Sequence, residues 1–91
     1  MTPAEEASVT LEVELCGRLA DGIGPVVPVE MPATGCSAGA FLDHVRQQHP
    51  SLAPHVAAGR VRLCVNETVA GADAPVLPRD RVALFPPVSG G

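Results

Sequence analysis

A chain of 91 residues with ten acidic against six basic side chains and a net charge of −4 has the size of one small domain and leaves no room for a second. All six basic residues are arginine, and with two Phe and neither Trp nor Tyr there are no stacking platforms beside them, which excludes a nucleic-acid-binding footprint. Cys16, Cys36 and Cys64 lie far apart without a Cys-x-x-Cys pair. Zinc and iron–sulfur patterns are therefore absent, and a reducing cytoplasm is the expected setting.

Met1 to Ala7 reads as a short polar extension, with Glu5 and Glu6 where a signal peptide would need an apolar run. No stretch is long and apolar enough to span a membrane. From Val9 onward Val9, Leu11, Val13 and Leu15 alternate with Thr10, Glu12, Glu14 and Cys16, the pattern of a strand with one buried face. Gly17 to Pro25 is predicted as a loop. Val27, Val29 and Met31 then alternate again, and Pro28, which has no N–H to give to a ladder, makes this second strand an edge.

Ser37 is placed to cap a helix in which Ala38, Phe41, Leu42 and Val45 recur on one face, ending before Pro50. Gly39 weakens it by about 1 kcal/mol relative to alanine, so packing of Phe41 and Leu42 must offset the loss. Ser51 is expected to cap a shorter helix carrying Leu52 and Val56 and stopped at Gly59. His44, His49 and His55 offer no i, i+4 pair, so exposed positions and no metal are expected. Val61, Leu63 and Val65 alternate with Arg60, Arg62 and Cys64 in a third strand. Asn66-Glu67-Thr68 turns into a short strand at Val69 and Ala70, and a loop from Gly71 to Asp80 is expected to anchor through Leu77. Arg81 to Phe85 is the last strand, with Val82 and Leu84 inward and Phe85 outward.

The order strand, strand, helix, strand, short strand, strand predicts an α+β fold: a mixed sheet of about five strands, one main helix and one short helix. A hairpin followed by a right-handed crossover puts the third strand beyond the first, and the final strand fills the gap between them. That is the β-grasp, or ubiquitin-like, arrangement, expected over 8–85 between an N-terminal extension at 1–7 and a tail at 86–91. On its outer face Glu12 and Glu14 would lie near Arg81, with Arg60 and Arg62 beyond; cross-strand pairs there are worth at most about 1 kcal/mol each, and the face is mostly solvated charge.

The tail carries the chemistry. Pro86 and Pro87 stiffen an extended stem, and Gly90 and Gly91 have no side chains to obstruct entry into a narrow channel. A carboxylate becomes electrophilic once an ATP-using partner converts it to an acyl-adenylate, which a sulfur or nitrogen nucleophile displaces. Ser-Gly-Gly is also what an ordinary loose end looks like. What distinguishes this one is that a strand runs straight into it.

Cys64-Val65-Asn66-Glu67-Thr68-Val69, Leu77 with Asp80, and Val82-Ala83-Leu84-Phe85-Pro86-Pro87-Val88-Ser89-Gly90-Gly91 together resemble the MoaD family, the small ubiquitin-like subunits of molybdopterin synthase within the ThiS/MoaD superfamily. The resemblance implies a sulfur carrier. Gly91 would be adenylated by an E1-like, MoeB-type enzyme using ATP and converted to a thiocarboxylate. The tail would then enter the large, MoaE-type subunit of molybdopterin synthase and give its sulfur to cyclic pyranopterin monophosphate. Cys16, Val69, Phe85, Pro86, Pro87, Val88, Ser89 and Gly90 would bind partners and position the terminus. The chain itself would bind no cofactor and have no active site of its own.

Two positions depart from the family: Cys16 stands where an aromatic is usual, and Arg79 where a glycine commonly precedes the aspartate. Three function classes remain open. The first is a carrier of the molybdopterin pathway. The second is a related carrier for cysteine, thiamine or a sulfur-containing natural product, and the third is a ubiquitin-like protein modifier or binding module.

Overall fold

The structure, a computed structural model, describes residues 7–86. Its centre is a sheet of five strands in the order β2-β1-β7-β4-β5. β1 (Ser8–Leu15) lies antiparallel to β2 (Val26–Pro32) and parallel to β7 (Val82–Phe85). On the other side of β7, β4 (Arg62–Val65) runs antiparallel and forms a hairpin with β5 (Thr68–Val69). First and last strands therefore meet in the middle, as the connection rules require. Leu11, Val13 and Leu15 of β1, Val27, Val29 and Met31 of β2, Leu63 of β4 and Val82 and Leu84 of β7 all point inward and are buried.

Helix α1 (Ala38–Gln48) covers that inner face, burying Ala38, Phe41 and Val45. Ser37 is its N-cap, its hydroxyl accepting from the Ala40 N–H at 3.1 Å. The next two donors go to a distant loop: Ala38 N–H to the Ala74 carbonyl at 2.7 Å and Gly39 N–H to Ala72 at 3.0 Å. The first turn thus has partners for the amides a helix start leaves unpaired. Leucine and valine supply most of the core, and Phe41 and Met31 are its largest fully buried side chains.

Four expectations need correction. Gly17 to Pro25 is not loop throughout, since Gly17–Ala20 forms a 3-10 turn that buries Leu19. Ser51 caps nothing: α2 (Ala53–Ala57) has Leu52 at its N-cap, and Pro54 at its second position has no N–H for a serine to satisfy. The anchor of the 71–80 loop is Val76, fully buried, whereas Leu77 is 45% exposed. Val76 lies in β6 (Pro75–Val76), which pairs with β3 (Cys36–Ser37), and the alternation of a strand turns Leu77 outward. His44 and His49 are half-buried, and His55 alone of the three is exposed.

The stop at Gly59 holds. Its φ of +71° suits glycine, its N–H reaches the Val56 carbonyl at 3.0 Å, and the Arg60 N–H reaches His55 at 2.8 Å. This is the paired bonding of a Schellman ending.

β2 is the predicted edge, and its free side is closed at Pro28, Glu30 and Pro32. Pro28 and Pro32 have no N–H there. At Glu30 between them, the N–H donates to Gln48 Oε1 at 2.7 Å, and the carbonyl accepts from Gln48 Nε2 at 2.9 Å. The His49 ring donates to the Pro28 carbonyl. A carboxamide at the end of α1 thus stands where the peptide group of another strand would bond.

Candidate functional site

The outer face of the sheet is assembled by register. Glu14, Ala83, Cys64 and Val69 form one row across β1, β7, β4 and β5, and Arg62 pairs with Phe85 in the adjacent row. Cys16 follows β1, its N–H donating to the Leu84 carbonyl at 3.0 Å. Phe85 is 38% and Val69 56% exposed, so both present apolar surface to solvent. A depression of 420 Å³ opens on this face among Glu12, Glu14, Cys64, Arg81, Ala83 and Phe85. The structure therefore places Cys16 and Phe85 at the start of the tail and Val69 on the same face two strands away, in the row of Ala83.

The charges on this face are solvated, and no cross-strand ion pair forms among them. The one ion pair among the described residues is Asp43–Arg46 on α1, at 3.1 Å. Glu12, Glu14, Arg62 and Arg81 all face solvent, where short-range pairing gains little against side-chain entropy.

The tail leaves over Gly17. A Cβ built there would lie 3.3 Å from Pro86 Cγ, and the residue sits at φ +60°, so a bare α-carbon seats the first proline of the stem. Pro87, Val88, Ser89, Gly90 and Gly91 lie outside the described residues, as does nearly all of the 1–7 extension.

The cysteines are free thiols, each half-buried. Burial first, then the charge of Glu14 and the nearby Cys64, push the Cys16 thiol above its ordinary value; burial alone does so for Cys36. Neither environment makes an activated nucleophile. No group of three or more His, Cys, Asp or Glu among the described residues is placed to hold a metal, and no helix there is long and apolar enough to cross a membrane.

At the edge of the outer-face depression, which Asp80 also lines, a clamp gives physical meaning to the Asn66 and Asp80 positions. Asn66 and Glu67 both have positive φ, at 51° and 69°, as the tight I′-type turn between β4 and β5 demands. The Asn66 side chain then donates to Asp80 Oδ1 at 3.0 Å and accepts from the Arg81 N–H at 2.9 Å. Asp80 Oδ2 accepts from the Leu77 N–H at 2.7 Å. One carboxylate ties the turn to the loop that feeds β7, which fixes where the tail starts. Asp80→Ala is expected to lower stability by about 1–2 kcal/mol, since it strands two donors at a partly exposed site. Urea unfolding of the variant beside the parent chain measures this.

Sequence reasoning missed Gly17 as the seat of Pro86 and the clamp at Asn66. A Gly directly after the first strand and an Asn-Asp pair 14 residues apart were the only signals.

A central C-terminal strand, one long helix across a mixed sheet and a tail leaving from that strand define a ubiquitin-like β-grasp protein. The chain matches the ThiS family over residues 13–91 and belongs to it. SAMP1 from Haloferax volcanii is similar at 29% identity with a TM-score of 0.73, the match covering 91% of this chain and 100% of that one. A second structure, of H. volcanii small archaeal modifier protein 1, matches at 27% identity and a TM-score of 0.72, over 87% of this chain and 98% of that one. The H. volcanii HVO 2177 protein shares the fold, with 19% identity, a TM-score of 0.68, and 92% and 88% of the two chains covered. No curated protein matches the chain.

Proposed function

We propose that this chain is a sulfur carrier of molybdopterin biosynthesis whose reactive group is the carboxylate of Gly91. An E1-like, MoeB-type enzyme joins that carboxylate to the α-phosphorus of ATP, releasing pyrophosphate. A sulfur nucleophile then displaces AMP, and the resulting thiocarboxylate enters a MoaE-type large subunit to give its sulfur to cyclic pyranopterin monophosphate. Within this chain Gly90 and Gly91 are the moving part. Pro86 to Ser89 form the stem, and Cys16, Val69 and Phe85 are the surface that docks it. Catalytic groups and ATP belong to the partners.

The observation that supports this reading is an exposed Phe85 at the root of a tail launched from the central strand, with Cys16 beside it and the exposed Val69 on the same face two strands away. The family match running through Gly91 supports it. The test is intact mass after incubation with a MoeB-type enzyme, ATP and a sulfide source. A gain of about 16 Da at the C-terminal peptide, oxygen replaced by sulfur, is the expected result. No change with several competent activating enzymes would return the tail to an ordinary loose end.

A second reading, protein modification, is favoured by the modifier proteins among the similar structures. It uses the same adenylate but a partner protein's amine as the nucleophile. Recovery of Gly91 in amide linkage to another protein distinguishes it from the carrier.

Docking through Phe85 makes its own prediction. An exposed aromatic at the centre of an interface is worth about 2 kcal/mol or more to binding, while truncating a partly exposed side chain costs the fold about 1 kcal/mol or less. Phe85→Ala is expected to raise the KM of the activating enzyme for the carrier at least tenfold with little change in melting temperature. Strong unfolding instead would place Phe85 in the core.

A further inference from the structure

The outer face carries its charges in two separate groups. Around the depression Glu12, Glu14, Glu67 and Asp80 stand against Arg81 alone. At the tail end the sign reverses: Arg62 pairs with Phe85 in the β4–β7 ladder, Arg60 precedes it by two residues, and Arg18 follows Gly17, on which Pro86 rests, all three exposed. The carboxylate nearest to them in sequence is Asp21, which closes the 3-10 turn. Glu14 lies two strands from Arg62 and one row of the pleat further up the sheet, about 10 Å across and 7 Å along, so about 12 Å apart. That exceeds the screening length of about 8–10 Å in physiological salt. The two groups therefore act as separate poles and do not cancel. Between them, the row that holds Glu14 is otherwise apolar, with Val26, Ala83, Cys64 and Val69 in register, and Val26 and Val69 are 43% and 56% exposed.

We infer that the outer face is a two-signed docking surface, and that the activating partner it fits presents the opposite pattern: a basic group over Glu12 and Glu14, an acidic group beside Arg62, and apolar side chains against the row between. This rests on the carrier reading above and names the surface chemistry of its partner. Apolar contact supplies area without direction, because Val26, Ala83, Cys64 and Val69 offer a partner much the same row from either end. Charge supplies the direction. In one pose each pole meets its opposite; with the chain turned end for end on the same partner, carboxylates face acids and guanidinium groups face bases. Only one of these poses carries Phe85 and Pro86 toward the partner's catalytic centre, so the polarity selects the pose that delivers the tail. Net charge cannot do this. A chain at −4 is drawn to a basic surface in either orientation.

The experiment reverses one charge at a time and follows pyrophosphate release by a MoeB-type activating enzyme with ATP, giving kcat and the KM for the carrier across a range of salt. Glu14→Lys and Arg62→Glu shift the net charge of −4 by two units in opposite directions. Both are nevertheless expected to raise KM about fivefold or more at low salt, with kcat unchanged, and the difference from the parent is expected to shrink as salt rises. Asp43→Lys and Arg46→Glu make the same changes of charge on α1, on the other side of the sheet, and are expected to stay within about twofold of the parent. A lower KM for Arg62→Glu, or α1 variants that move as far as those on the face, would show attraction by net charge alone and overturn the inference. Unchanged KM in both face variants would overturn it too, while leaving the carrier reading intact. Absence of pyrophosphate release from the parent chain with several competent activating enzymes would overturn both. Thermal melts identify a variant that fails to fold, and Glu14→Gln and Arg62→Gln then take its place, with a smaller rise in KM expected for each.

Discussion

Deleting Gly91 is expected to abolish thiocarboxylate formation and sulfur transfer while leaving the melting temperature unchanged. The two halves of that result have separate causes. The core closes on residues from Leu11 to Leu84, and the last strand ends at Phe85, so no buried contact among the described residues depends on the final glycine. Chemistry is different. A shortened chain ends on a carboxylate one residue, roughly 3.5 Å, short of where an adenylating site must place it, and displacements of about 1 Å already cost two orders of magnitude in rate. Moreover, the new terminus lacks one of the two side-chain-free residues that admit the tail. Mass spectrometry after activation and a thermal melt of the same sample test both halves. Retained transfer would remove Gly91 from its assigned role.

The largest effect on the fold is expected from Phe41→Ala. Phe41 is fully buried on α1 against the inner face of the sheet, and it is the largest of the completely buried side chains. Truncating such a residue costs about 3–5 kcal/mol, through lost transfer energy and an unfilled cavity. A domain of this size has a total of roughly 5–15 kcal/mol at its disposal and belongs near the lower end. The variant is therefore expected to be largely or wholly unfolded near body temperature, read as loss of a cooperative transition in urea. Gly39 weakens the first turn, so without Phe41 the helix is left with the Ser37 cap, the two amide bonds to the 72–74 loop and the smaller Ala38 and Val45 contacts. A loss below about 1 kcal/mol would show that the neighbours collapse into the space.

How much of this was legible follows from where the signal was local. Val9 to Leu15 alternate without interruption, Pro28 marks an edge by its missing N–H, and Phe41, Leu42 and Val45 repeat at helical spacing. Each of these is decided within a few residues and came out as expected. Ala74-Pro75-Val76-Leu77-Pro78 is apolar throughout, so no period singles out Val76 over Leu77. Its pairing with Cys36 settles the choice. Leu19 sits among glycines with no pattern at all and is buried because a 3-10 turn folds it under the sheet's end. Gln48 and His49 act on residues 18 and 21 positions away, at a distance no sequence window spans. For the candidate site, alternation put Phe85 outward, but the common row of Val69 and Cys64 exists only through strand register.

The closure of β2 has a consequence for how this protein is addressed. An open sheet edge binds largely through its backbone, which is chemically the same in every protein, and so invites many companions with little discrimination. Here prolines, one carboxamide and one imidazole take that option away on the long edge, and the opposite edge, β5, is two residues long. On the carrier reading proposed above, recognition falls to side chains on the outer face, so single substitutions there would redirect the chain to other partners without altering Gly91.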